Sequence, residues 1–173
     1  MKQIIKRISL GLLIIVVLVT TLATGATLQR DYGVNPPKNP APIDLHQLFG
    51  IINQERAEIH HQPLLETSAL DAAAAAHCMD MVRQDYYAHT NPEGIKPNAW
   101  IDAQHVGYLM WAENINHGYI NAQQVANEFY ASPDHRTNIL FPTYDEIGLA
   151  ECNPKGYPNM VVEQFVQASS TVL

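Results

Sequence analysis

Several common signatures are missing from this chain. It has no Gly-rich phosphate loop, no Gly-x-Ser-x-Gly elbow and no His-Glu-x-x-His helix, so the usual marks of nucleotide binding and of hydrolysis are absent. Basic residues are few. Ten Lys and Arg stand against seventeen Asp and Glu, for a formal net charge of −7. Three of the basic residues, Lys2, Lys6 and Arg7, precede Ile8, whereas every acidic residue follows Leu28. The part beyond Leu28 is therefore acidic, which argues against nucleic acid and anionic membrane surfaces as partners. Only Cys78 and Cys152 represent cysteine, and neither directly follows the N-terminal apolar run, which argues against a lipid anchor. There is no internal repeat, and the alanines at 72–76 are the one low-complexity tract.

That apolar run extends from Ile8 to Leu28 without a charge, behind a basic start. This is the layout of an export signal, with small residues suited to cleavage at Ala23-Thr-Gly25 or Thr24-Gly-Ala26. It is also long enough to span a bilayer, which takes about 20 apolar residues. Residues 1–28 are thus either a signal peptide or an N-terminal membrane anchor. Both place the remainder outside the cytoplasm, in the envelope or beyond, with membrane contact only through this segment. Residues 29–43 hold closely spaced prolines and no hydrophobic period, the composition of an extended linker. Residues 44–173 suit one domain with its own core.

Within that domain, Asp44 is expected to cap a helix in which Leu45, Leu48, Phe49, Ile52 and Ile59 face inward while Glu55, Arg56 and Glu58 form the wet side and Asn53 is solvated with them. Ser68 and Asp71 resemble a capping box opening a helix towards Asp85, with Leu70, Ala74, Cys78, Met81 and Val82 as its buried stripe and His77 on the flank. Pro97 to His105 reads as a short helix closed by Gly107, and Trp111 to Asn116 as a short strand or extended turn. Glu146 to Cys152 and Met160 to Val166 read as strands joined by hairpin material at Asn153 to Pro158. Helices alternating with short strands predict an α+β domain, a small antiparallel sheet covered by helices.

A further helix starting near Asn121 carries Val125, Phe129 and Tyr130 and must stop by Ser132, because Pro133 lacks the N–H a helix interior needs. Directly after it come Asp134, His135, Arg136 and Asn138, expected as a short polar turn pinned between aromatic and aliphatic anchors. His89, which follows the second helix, and Glu113-Asn114 are the other stretches a packed core would not choose. Together these stretches are the site candidates.

Asn53-Gln-Glu-Arg56, Pro63-Leu64, Leu70 to Met81, Tyr87-Ala-His89, Gly107-Tyr108, Ala112-Glu-Asn-Ile115 and Ser132-Pro-Asp-His-Arg-Thr-Asn-Ile-Leu140 resemble, in this order, the bacterial branch of the CAP superfamily. That superfamily includes cysteine-rich secretory proteins, antigen 5 and plant pathogenesis-related proteins. The resemblance implies a three-layer α-β-α sandwich whose cleft is lined by two histidines, matched by His89 and His135, and by a glutamate, matched by Glu113. A second glutamate of the eukaryotic branch does not carry over: its place falls near Ser132, and Glu128 lies one helical turn earlier. His89 and His135 are accordingly the expected ligands of Zn²⁺ or another divalent metal, with Glu113, Glu128 and Ser132 as cleft or ligand-binding residues. The expected function is an exported cleft that binds a metal or a small molecule, lipids included. A metal-dependent hydrolase with Glu113 as general base and an interaction domain with a vestigial cleft are the alternatives. Export also allows Cys78 and Cys152 to pair or to remain as two buried thiols.

Overall fold

The computed structural model describes residues 41–153 and 159–169. The apolar segment expected over 1–28, most of the linker and the hairpin connection at 154–158 lie outside the described residues. Among the described residues, no helix is long and apolar enough to cross a membrane.

Helix α1 (Leu45–Glu58) begins where the Asp44 carboxylate accepts from Gln47 N at 2.9 Å, a side-chain cap satisfying a donor the first turn leaves free. Its inner face carries Leu48 and Ile52, whereas Ile59 falls past the helix end and is exposed. The expected wet side was wrong at Arg56, which is fully buried. Its guanidinium donates to the carbonyls of Gln62, Ile139, Phe141 and Tyr144 at 2.7–3.0 Å. A planar fork of donors satisfies several turn carbonyls at once, and so an arginine can stand inside a core. Asn53 likewise turns inward and exchanges two hydrogen bonds with the backbone of Leu64.

The two-residue strand β1 (Leu65–Glu66) leads into helix α2 (Ser68–Gln84). The expected capping box does not form: Thr67 is the N-cap, accepting from Leu70 N, and the Asp71 carboxylate instead accepts from Leu149 N at 2.9 Å. Helix α2 ends at Asp85, whose φ of 54° breaks the helical path. Its buried side carries Leu70, Ala73, Ala74, His77, Cys78, Asp80 and Met81, with Val82 only partly buried. The short helix α3 (Asn98–Asp102) ends at Ala103 and the chain turns away at His105, at φ 58°, so Gly107 does not close it.

Strands β2 (Tyr108–His117), β3 (Glu146–Cys152) and β4 (Met160–Ala168) complete a four-stranded sheet of order β1-β3-β4-β2. β4 pairs antiparallel with both long neighbours, but β1 pairs parallel with β3, so the sheet is mixed where an antiparallel one was expected. β2 is an edge strand. Between β2 and β3 lie helices α4 (Ala122–Ala131) and α5 (Pro133–Ile139).

Alternate residues of a strand point to opposite faces, and here each face has its own helices. Leu48, Ile52, Val125, Phe129 and Ile139 of α1, α4 and α5 pack on Ala112, Ile147, Leu149, Val161 and Phe165. On the opposite face, Ala74, Cys78 and Met81 of α2 meet Ile115, Ala150, Met160 and Val162, while Leu70 and Ala73 with Ile101 meet Val166. Burying a side chain such as Phe165 completely stabilises by about 2–3 kcal/mol. The result is an α-β-α sandwich. The small α2 side chains bring its backbone so near β3 that a Cβ at Gly148 would collide with the carbonyl of Leu70.

Cys78 of α2 and Cys152 of β3 are joined in a disulfide across a sequence separation of 74. Closing a loop of that length removes unfolded-state freedom, by about 4 kcal/mol in the chain-entropy model. We expect Cys78→Ala with Cys152→Ala to lose stability of that order in urea unfolding, and the unreduced, unfolded protein to show no free thiol.

Candidate functional site

The site forms around the free edge of β2. Glu113 and Asn114 are consecutive on that strand and therefore point to opposite faces, Glu113 beside Gln164 and Asn114 beside Glu163 of β4. Glu113 faces α2. Its side chain is 1 % exposed, and Oε2 accepts from Nδ1 of the buried His77 at 2.6 Å and from Gln164 Nε2 at 3.1 Å. Oε1 accepts from His89 Nδ1 at 2.8 Å. Burial pushes the Glu113 carboxyl up, but the hydrogen bonds from His77, His89 and Gln164 and the charge of His77 outweigh it and hold the group below its ordinary value. An ionised carboxylate only accepts, so Nδ1 of both histidines carries hydrogen and, in the neutral ring, Nε2 keeps the lone pair. His77 Nε2 is buried without a partner, its ring stacked on Trp100 with centroids 5.6 Å apart. The His89 side chain is 51 % exposed.

The segment after α2 that carries His89 is tied back to the helix. The Asp80 carboxylate accepts from the Tyr86 hydroxyl at 2.9 Å and from Asn91 Nδ2 at 3.2 Å, while Asn91 Oδ1 accepts from the backbone N–H of Glu93 and Ile95. Tyr87 donates to the Ile115 carbonyl at 2.9 Å and covers part of the strand edge. Burial, then the charges of Glu128 and Glu113, push the Tyr87 phenol up to about 12.

His135 arrives from the other layer. Pro133 ends α4 but also starts α5: at the first helical position its missing N–H costs nothing, so the expected polar turn is a helix. The half-buried His135 sits in the first turn, its ring edge-on to Phe129 at 5.1 Å and its carbonyl accepting from Asn114 Nδ2 at 3.2 Å. Burial and then the charge of nearby His89 push its imidazole below the ordinary value, against the opposite pull of Glu128 and Asp134. The two histidines thus come from opposite layers, near enough for the charge of His89 to act on His135.

Glu128 is half-buried and close enough to act electrostatically on His135 and Tyr87. Ser132 links α4 to α5, and its hydroxyl makes no hydrogen bond among the described residues. Glu113 lies beneath His89 with both oxygens engaged, a poor position for a general base. Among the described residues no three His, Cys, Asp or Glu side chains are grouped to hold a metal ion. The donor set therefore fits at most a two-imidazole site completed by water or by the ligand. A cavity of about 300 Å³ lined by Arg136, Thr137, Leu140, Phe141 and Pro142 includes none of these side chains.

Sequence reading missed His77, Asp80 and Gln164. His77 was placed on the flank of α2, although it follows Ala73 and Ala74 at the four- and three-residue spacing that marks the buried stripe.

The profile of the cysteine-rich secretory protein (CAP) family matches residues 49–165. The chain is similar to uncharacterised protein YkwD of Bacillus subtilis (strain 168), 29 % identical over 99 residues, which are 57 % of this chain and 38 % of that protein. It therefore spans about two fifths of the length of that relative. Its fold is similar to an outer surface protein of Borrelia burgdorferi at a TM-score of 0.68, with 17 % identity over 77 % of this chain and 100 % of that one. It is also similar to NaASP2, solved with Zn²⁺, at a TM-score of 0.52, with 14 % identity over 78 % of this chain and 85 % of that one.

The buried carboxylate has a pH signature. With a folded pKa below the unfolded value, the stabilisation from ionised Glu113 is present above about pH 4.3 and is lost as pH falls through the folded value. Urea unfolding should show wild type more stable than Glu113→Gln at pH 7, by roughly 1–3 kcal/mol. The gap should close below about pH 4; a gap constant from pH 7 to 3 would contradict an ionised Glu113.

Proposed function

The chain belongs to the cysteine-rich secretory protein (CAP) family, and on that premise we propose that its cleft binds a divalent metal ion or a small ligand through His89 and His135 and is not a catalytic centre. The observation that carries this reading is the Glu113 carboxylate fixed beneath His89. It holds the ring by Nδ1 and leaves the Nε2 lone pair for a ligand. A neighbour of the same fold was solved with Zn²⁺, which supports testing that ion first. Bound there, a divalent ion would supply a positive centre for an anionic or carbonyl-bearing molecule. His89 and His135 would hold it, and Glu113 would orient His89. Hydrolysis with Glu113 as general base is disfavoured, because both its oxygens already accept hydrogen bonds inside the fold.

A ligand with an apolar portion is favoured by one observation. Leu109 and Met110, at the start of β2 and a few residues from Glu113, are 66 % and 41 % exposed. Mass spectrometry of an organic extract of the native protein should then find a lipid-like molecule, and none after Leu109→Ser with Met110→Ser. The proposed site of action is outside the cytoplasm, supported by the basic-then-apolar N-terminus and by the outer-surface relative. N-terminal sequencing of native protein would separate a cleaved signal, with a new terminus near Ala26, from an anchor that keeps Met1.

Calorimetric titration with Zn²⁺ should give heat for wild type and none for His89→Ala or His135→Ala. Coordination needs neutral imidazole, and His135 is pushed below its ordinary value, so on the His135 side binding should persist below pH 6.5. No heat with wild type at pH 7 removes the metal reading.

A further inference from the structure

We propose that Glu163 is a positioning residue for the cleft: as an un-ionised carboxylic acid it holds, through the Asn114 side-chain amide, the first turn of α5, which carries His135. The inference rests on reading His135 as a cleft ligand.

Glu163 lies on β4 directly across from Asn114 and is fully buried. Asn114 Nδ2 donates to Glu163 Oε2 at 2.9 Å and to the His135 carbonyl at 3.2 Å, while Asn114 Oδ1 accepts from Asn138 Nδ2 at 2.8 Å. The orientation of that amide is forced. A backbone carbonyl can only accept, so the NH₂ must face His135, and its second hydrogen is then directed at Glu163. Glu163 Oε2 serves as acceptor in either ionisation state, which leaves Oε1 to carry the proton. Oε1 is buried without a partner, a position that an ionised carboxylate could occupy only at heavy cost.

No charge compensates for it. Across the sheet its neighbours are Asn114 and Leu149. Of the charged groups on this side of the sheet, Arg56 is engaged with four carbonyls and the Glu151 carboxylate accepts from Ile43 N. His135 presents its carbonyl to the same amide, with Glu128 and Asp134 acting on its ring. Burial accordingly pushes the Glu163 carboxyl up to about 8, against the smaller downward pull of the Asn114 hydrogen bond. Ionisation would place an unpaired charge behind α5, recruit water or Asn114 to itself, and weaken the bond from Asn114 to His135.

The test is NMR on the ¹⁵N-labelled full chain in mild detergent, following the Asn114 side-chain amide and the His135 ring from pH 6.5 to 9.5. His135→Gln serves to assign the ring. In wild type both sets of signals should move together in one step centred near pH 8. Glu163→Gln, which keeps an acceptor for Asn114 but cannot ionise, should hold the neutral-pH positions with no step. Glu163→Leu should displace both sets already at pH 7. Absence of the wild-type step, its survival in Glu163→Gln, or unshifted signals in Glu163→Leu would each overturn the proposal. If the leucine variant does not fold, the glutamine comparison decides. Urea unfolding gives a second readout. A carboxyl raised on folding binds more protons folded than unfolded, so the stability that wild type holds over Glu163→Gln should fall as pH rises from about 4.5 to 8. Zn²⁺ calorimetry on the same samples keeps the two readings apart. A step without Zn²⁺ heat removes the metal reading alone, and heat without a step removes this one alone.

Discussion

A carboxylate leaves water only if protein donors replace its hydration, and Glu113 meets that condition with three: His77, His89 and Gln164. Much of the candidate site follows. The charge fixes the tautomer of both rings, the rings fix the carboxylate, and His89 is left with one free nitrogen directed away from the core. The arrangement resembles the carboxylate-histidine pairs that orient metal ligands, but the carboxylate is shared with a second, fully buried imidazole. His77 is thus a structural partner of Glu113 whose effect reaches the surface through His89.

The edge position of β2 explains why the site can draw on both helical layers. A central strand would separate α2 from α5. An edge strand lets His89 come round from one side and His135 from the other, with Tyr87 and Asn138 donating to the strand's carbonyls between them. The two faces are handled oppositely. On one, a carboxylate is kept ionised by convergent donors; on the other, one residue pair along, Glu163 has a single donor and stays protonated. Two glutamates of the same chemistry are separated by their surroundings alone.

Much of the fold was legible beforehand because its signals are local. Asp44 as a cap, Pro133 as a stop and the strands from Glu146 and Met160 depend on residues a few positions apart. The misses have a common cause. Arg56 reads as a surface residue by its charge, and three of the four carbonyls that make its burial tolerable lie more than 80 residues away. Asp71 reads as a helix cap, but the competing donor, Leu149 N, lies on β3. The two-residue β1 is too short for any periodicity to announce it, so the mixed pairing could not be read.

By itself, the sequence determined the main periodicities, the Asp44 cap and the order of the motifs, because these rest on backbone geometry and nearest-neighbour sterics. Only the tertiary structure decided that β2 lies at the edge, that His77 shares Glu113 with His89, and that Asn114 joins Glu163 to His135. Those outcomes depend on which helix covers which face of the sheet, and burial then sets whether a glutamate is a charge or a neutral acid.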